Sequence, residues 1–212
     1  MVIAIDGLGV NGKSTIAKRL AEKLGYKYFN TGAIYRCIAL VMIENDLDIQ
    51  NIDEVINKIK DIEVDFDGVK ILLYGKDVTD RIRKEDISVK STLWATNLKI
   101  KEVVRKIQKE FIKKYDTVIE GRDICTRIAP DADFKFYLYS DFETRVDRLY
   151  KMQENVDIEE IRENLKVRDD LDINGGNFIK PTDAYNIDTT NLSIEEVYGK
   201  IINVILDTKN NR

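Results

Sequence analysis

Between residues 7 and 15 the chain reads Gly7-Leu8-Gly9-Val10-Asn11-Gly12-Lys13-Ser14-Thr15. The two outer glycines, four residues between them, then lysine and a hydroxyl residue, fit the pattern G-x-x-x-x-G-K-S/T. The chemistry of that pattern is anion capture. Glycines let backbone N–H groups turn inward around a phosphate, and the start of the following helix adds a favourable dipole. Lys13 reaches the β- and γ-phosphate oxygens, and the Ser14 hydroxyl ligates Mg²⁺. The flanks agree: an apolar run at residues 2–5 reads as a buried strand, and Ile16, Leu20 and Leu24 fall on one face of a helix. Residues 7–15 together read as a nucleoside triphosphate site.

A phosphate loop of this kind needs a carboxylate at the end of a neighbouring strand to hold the metal or its water. Glu120, closing the apolar run 117–119, is the first candidate and Asp6 the second. Phosphoryl transfer asks the protein for positioning and positive charge more than for a base. Arg36, Arg122, Arg145, Arg148 and Arg168 all fall near strand ends or on the late charged helices. Arg145 and Arg148 share a helical face and can swing over one phosphate cluster. A solvated charged face is the commoner place for any single arginine, and for Arg145, on a helix alternating both charge signs, that reading stays strong.

The elements that must position these groups alternate between apolar runs and helical patterns, the signature of a parallel sheet covered by helices. Strands are expected at residues 26–29, 117–120, 134–138 and 185–187, besides the first. Helices are expected at 33–44, 53–59, 99–114, 142–153, 158–171 and 193–206. Gly25 suits a helix C-cap, Ser193 with Glu196 a capping box. Residues 62–66 and 69–74 flank Asp67-Gly68, a strong hairpin signal. It marks residues 46–97 as an inserted subdomain. Residues 174–177, Asn-Gly-Gly-Asn, read as a mobile connector.

Composition excludes several classes. The 212 residues suffice for one well-buried domain, and 34% charged with 43% hydrophobic residues is ordinary for a globular chain. A formal charge of −4 gives no general attraction to nucleic acid. No histidine is present, which removes every mechanism with a histidine base or ligand. No apolar run approaches the ~20 residues of a membrane span. The chain opens directly on a core strand, so no signal peptide is expected. Cys37 and Cys125 lack metal-ligand spacing and read as free thiols. A cytoplasmic α/β enzyme is the expectation, as a monomer without nucleic-acid or membrane partners.

Further segments carry a family resemblance that runs nearly end to end. Residues 30–36, Asn-Thr-Gly-Ala-Ile-Tyr-Arg, resemble the D-T/S-G-A-x-Y-R of bacterial cytidylate kinases. Asp77-Val78-Thr79 with Ile82-Arg83 is similar to that family's D-V-T…I-R. Residues 120–126, Glu-Gly-Arg-Asp-Ile-Cys-Thr, followed by Pro130-Asp131-Ala132, resemble D-G-R-D-I-G-T…P-D-A. Arg168-Asp169-x-x-Asp172 and Ile187-Asp188-Thr189-Thr190 match its later segments. The resemblance implies a P-loop NTPase three-layer α/β fold. Its sheet has five parallel strands, with an inserted NMP-binding subdomain containing a β-hairpin and a helical lid. Core segments would be 1–45, 98–150 and 184–212, the insert 46–97 and the lid 151–183. It implies ATP-dependent phosphorylation of CMP or dCMP with Mg²⁺. Thr31, Arg36 and Arg122 would hold the acceptor phosphate, and Asp123, Ser91 and Lys101 would read cytosine. Asp172 would take the ribose hydroxyls, and Arg168 would lie between sugar and phosphate. Arg148 would close over the donor phosphates, so Lys13, Arg122, Arg148 and Arg168 form the catalytic set.

The departures matter too. Val10 occupies the family's central glycine, with Gly9 offering backbone freedom one residue earlier. Lys101 replaces a base-reading arginine and loses its planar fork. The family's last phosphate-binding arginine has no counterpart: no arginine lies between Asp172 and Arg212, and in the segment 173–184 only Lys180 could supply positive charge. Cys125 replaces a glycine. Two further readings therefore stand behind CMP kinase: a P-loop kinase of another nucleoside monophosphate or small molecule, and a nucleotide-sensing module without turnover.

Overall fold

A computed structural model describes residues 1–67, 70–153 and 156–210. The hairpin's Gly68 and the terminal Arg212 lie outside the described residues. The fold is α/β, with a five-stranded sheet. By compactness the chain divides into two units, 1–26 with 116–212, and 27–115.

In the first unit β1 (Val2–Asp6) pairs in parallel with β6 (Thr117–Gly121) on one side and β7 (Phe134–Tyr139) on the other. β8 (Tyr185–Asp188) pairs in parallel with β7. All five residues of β6 are buried, and the consecutive Val118 and Ile119 put an apolar side chain on each face. The register places Asp6 beside Gly121 and Tyr137, and Asp188 beside Tyr139. The carboxyl ends of four strands therefore lie along one edge, where open α/β sheets bind ligands.

Helix α1 (Lys13–Leu24) ends at Gly25, whose φ of 70° lets Tyr26 N–H donate to the Ala21 carbonyl at 2.9 Å. Along α6 (Phe142–Met152) and α7 (Ile158–Asn174), Val146, Ile161 and Leu165 form a small buried cluster. α7 runs three residues beyond the expected end at 171, so Asp172 stands on a helix and Gly175 is the cap. Its amide donates to Leu171, while Asn177 and Phe178 N–H groups donate to the Asp172 carbonyl. That network takes up much of the expected mobile connector. Helix α8 (Ile194–Asn210) carries the expected capping box: Ser193 Oγ accepts from Glu196 N–H at 3.3 Å, and the Glu196 carboxylate accepts from Ser193 N–H at 2.8 Å.

In the second unit β2 (Lys27–Asn30) leads straight into α2 (Thr31–Glu44). Asn30 caps the helix by accepting from Ala33 N–H at 3.1 Å, which starts it two residues before the sequence pattern suggests. Helix α3 (Ile52–Ile59) follows. β3 (Val64–Asp67) and β4 (Lys70–Leu73) pair antiparallel with Asp67 opposite Lys70, and a short β5 (Lys76–Asp77) adds an unpredicted third strand. A 3₁₀ turn (Arg81–Arg83) and α4 (Glu85–Trp94) occupy a stretch where no helix is expected from the pattern. Helix α5 (Leu98–Lys114) closes the unit. Phe29, Phe66 and Phe111 meet with ring centroids 4.6–5.8 Å apart, at angles that favour edge contacts.

Candidate active site

The phosphate loop bridges β1 and α1. A Cβ on Gly7 would lie 2.1 Å from the Leu138 carbonyl oxygen, so β7 leaves no space there for a side chain. Gly12 takes a φ of 78° as it starts α1. The loop's other left-handed residue is Val10, with φ 64°, and Gly9 does not take over that role. Lys13 Nζ donates to the Leu8 carbonyl at 2.7 Å, and Asn11 Nδ2 donates to the same oxygen at 3.3 Å. Asn11 Oδ1 accepts from Ser140 Oγ at 2.6 Å, fastening the loop to the end of β7.

Ser14 Oγ donates to Glu120 Oε1 at 2.9 Å. The first carboxylate candidate is thus brought to the loop's hydroxyl, and together they offer the hard oxygen donors that suit Mg²⁺. No group of three or more His, Cys, Asp or Glu capable of holding a metal occurs among the described residues. A metal here would complete its shell with water and phosphate oxygens. Asp6, the second carboxylate candidate, is engaged by the backbone. Both its oxygens accept backbone amides, from Ile124 at 3.0 Å and Cys125 at 2.8 Å. It thereby fixes the π-helical turn Ile124–Ile128 that follows β6. Burial pushes its carboxyl up to about 6 against the lowering effect of the two amides.

Around the loop the cations crowd. A methyl on Gly9 would sit 3.7 Å from an Arg122 nitrogen and 3.9 Å from the Arg168 guanidinium carbon. Burial pushes Lys13 down to about 7, with the Arg122 charge next in weight; Arg168 acts in the same direction, and Glu120 and Asp6 oppose. Three cations gathered at one glycine loop are costly unless an anion joins them. Arg122 Nε also donates to Asp172 Oδ2 at 2.7 Å, so the G-R-D and R-D-x-x-D segments meet directly. Asp123 pairs with Arg127 at 3.3 Å, and Arg127 further donates to the Gly176 carbonyl at 2.6 Å. The sequence pattern leaves Arg127 unmarked.

The two arginines of α6 part company. Arg148 donates to Thr189 Oγ1 at 3.1 Å and to the Thr189 carbonyl, at the end of β8. Arg145 is buried, which overturns its reading as part of a solvated face. Its Nη2 pairs with Asp169 at 2.6 Å and its Nη1 donates to the Gly9 carbonyl at 3.4 Å. Lys180, the one cation of the segment 173–184, lies with its Nζ 5.3 Å from the Tyr137 ring centroid.

Thr31, Arg36, Ser91 and Lys101 belong to the second unit. Thr31 Oγ1 accepts from the buried Gln108 Nε2 at 2.9 Å, a partner without any sequence signal. Burial, then the neighbouring Arg83, lowers the Arg36 pKa. Arg83 stands in the D-V-T…I-R segment, which is where a reader of the sequence would find it. Ser91 on α4 and Lys101 on α5 are both buried.

Residues 3–207 match the family model described as Cytidylate kinase. The chain belongs to the cytidylate kinase family. Among its relatives, the cytidylate kinase of Thermosipho melanesiensis is 38% identical over 209 residues, covering 96% of this chain and 95% of that one. That of Clostridium tetani is 38% identical over 214 residues, covering 98% and 95%. A solved structure of an uncharacterized protein from Eubacterium ventriosum superposes with a TM-score of 0.57 at 15% identity over 98% of both chains, a likeness of fold alone. Membership in the cytidylate kinase family makes the chain a nucleoside monophosphate kinase by class. No helix among the described residues is long and apolar enough to cross a membrane.

Proposed function

We propose that this chain transfers the γ-phosphoryl group of MgATP to CMP or dCMP, releasing ADP and CDP or dCDP. The observation that carries the reading is the gathering of Lys13, Arg122 and Arg168 at the phosphate loop beside the Ser14–Glu120 pair. Residues 7–15 cradle the triphosphate, and Lys13 and Arg148 neutralise the γ-phosphoryl group in flight. Ser14 and Glu120 hold Mg²⁺, which shields phosphate charge when bound. An acceptor phosphate oxygen bonds to the γ-phosphorus as the bridge to the β-phosphate breaks. The acceptor's second ionisation near ~6 leaves it a dianion at neutral pH, so no general base is required.

Thr31, Arg36, Arg122 and Arg168 bind the acceptor phosphate; guanidiniums suit it because they donate in bidentate pairs. Asp123 accepts from the cytosine N4 amino group, with Ser91 and Lys101 assisting. Asp172, one of whose oxygens already holds Arg122, offers the other to a ribose hydroxyl. We assign residues 46–97 to the acceptor-binding subdomain and 151–183 to the lid. Both cysteines are buried free thiols, as a reducing compartment permits, and we place the enzyme in the cytoplasm as a monomer.

An ADP-release assay with MgATP and each of CMP, dCMP, UMP, AMP and GMP tests this. We expect turnover above ~1 s⁻¹ with CMP or dCMP, the low end of ordinary enzymes, and far lower kcat/KM for the others. Equal use of AMP, or no ADP with any acceptor, would overturn it.

A further inference from the structure

The centre of the phosphate loop holds a valine with φ 64°. Left-handed backbone at a non-glycine residue is strained and persists only where its surroundings over-determine it. Those surroundings are α6 and α7. The Val10 side chain packs on the buried cluster of Val146, Ile161 and Leu165, beside Phe142 and Leu149. One residue earlier, the Gly9 carbonyl accepts from Arg145, whose other terminal nitrogen pairs with Asp169 on α7. Arg145 and Asp169 are both buried, and Arg145 Nε and Asp169 Oδ1 have no hydrogen-bond partner. A buried pair left partly unsatisfied is a weak source of stability. What it does provide is a fixed position. Asp169 is the immediate neighbour of Arg168 and lies one helical turn from Asp172, which itself grips Arg122.

We propose that Val10 is a positioning residue: its side chain, together with the Arg145–Asp169 pair, locks α6 and α7 to the phosphate loop, so that Arg148 and Arg168 move with the loop as one body. Glycine would supply the same φ without strain but with nothing to hold. Valine gives up backbone freedom for a grip on the helices. The proposal rests on the reading of Arg148 and Arg168 as phosphate ligands.

Three variants separate grip from backbone strain. Val10→Ile keeps a branched side chain, Val10→Ala removes the grip while keeping the strained φ, and Val10→Gly removes both. We expect kcat to fall with the grip that is lost, least in Val10→Ile and ~10-fold or more in Val10→Ala and Val10→Gly, with KM for ATP changing less than kcat, as for an interaction expressed in the transition state. In hydrogen exchange, MgATP alone should slow the amides of 142–152 and 158–174 in wild type and Val10→Ile. In Val10→Ala and Val10→Gly the slowing should be confined to the loop and α1. Wild-type kcat in Val10→Gly, a fall in melting temperature without a fall in kcat, or helix protection that survives in Val10→Ala would overturn the proposal. Should wild type turn over no acceptor, the kinase reading fails by itself, and the exchange pattern still decides the coupling.

Discussion

Asp123, the residue proposed to read cytosine, is tied to its neighbours. Its carboxylate pairs with Arg127 at 3.3 Å, and that arginine also holds the Gly176 carbonyl. Cytosine asks for an acceptor opposite its N4 amino group, and a carboxylate supplies only acceptors. Asp123→Asn introduces a donor on the same shape. We expect it to raise KM for CMP by about 10- to 100-fold, the ~1–3 kcal/mol of a lost base contact, with KM for ATP and the melting temperature nearly unchanged. Initial rates with each substrate varied in turn would measure this. Equal weakening of ATP would make Asp123 a structural residue. At this scale some neighbours were legible and others not. Ser14 and Glu120 meet as their types and places suggest, because a strand end beside a phosphate loop is a position fixed by the fold's topology. Arg145 was not legible: nothing local separates a buried arginine from an exposed one, and its Asp169 partner is on another helix.

At the scale of elements, local chemistry wrote the boundaries wherever caps exist. Ser193 and Glu196 close the start of α8 reciprocally. Removing the hydroxyl leaves an orphan amide, so Ser193→Ala should lower stability by about 1 kcal/mol without changing kcat. A urea titration would read that loss directly; an unchanged midpoint would mean solvent replaces the cap fully. The third strand β5 and helix α4 escaped the pattern for a different reason. β5 has two residues, too few for any alternation to register. α4 has almost no amphipathic contrast: Ile87, Ser91 and Trp94 share one buried face, but Ser91 is polar and the apolar Leu93 is exposed. The extension of α7 to Asn174 likewise depends on amides of 175–178 folding back onto Leu171, Asp172 and Ile173 carbonyls.

For the molecule as a whole, the buried charges at the loop set a dependence of stability on pH. Lys13 titrates at about 7 when folded against an ordinary 10.5, chiefly from burial. Below 7 it is charged in both states, and the folded state bears the full cost of burying that charge. Between 7 and 10.5 the unfolded chain binds the extra proton, so stability rises with pH. Asp6 acts with the opposite slope at lower pH. Raised from 3.8 to about 6, it holds a proton in the folded state that the unfolded chain has lost, so its contribution falls as pH rises through that interval. The ligand-free protein should therefore melt higher at pH 9 than at pH 7, by at most about 1.4 kcal/mol per pH unit from Lys13. In Lys13→Met that rise should be absent. Parallel melting curves across pH for the two proteins would measure it; identical slopes would place the effect elsewhere.

The sequence by itself determined the phosphate loop, the alternation of strands and helices, and the family, because each is written in contiguous residues. Glycine spacing, apolar runs and caps act within a few positions, where covalent geometry and hydrogen-bond reach leave few choices. Only the tertiary structure decided which charges are buried and which partners they take. Asp6 folds the turn after β6, Arg145 joins the loop to α7, and Val10 keeps a left-handed backbone against two helices. Each of these depends on groups more than a hundred residues away along the chain, and the free energy that holds them comes from excluding water between elements that share no local signal.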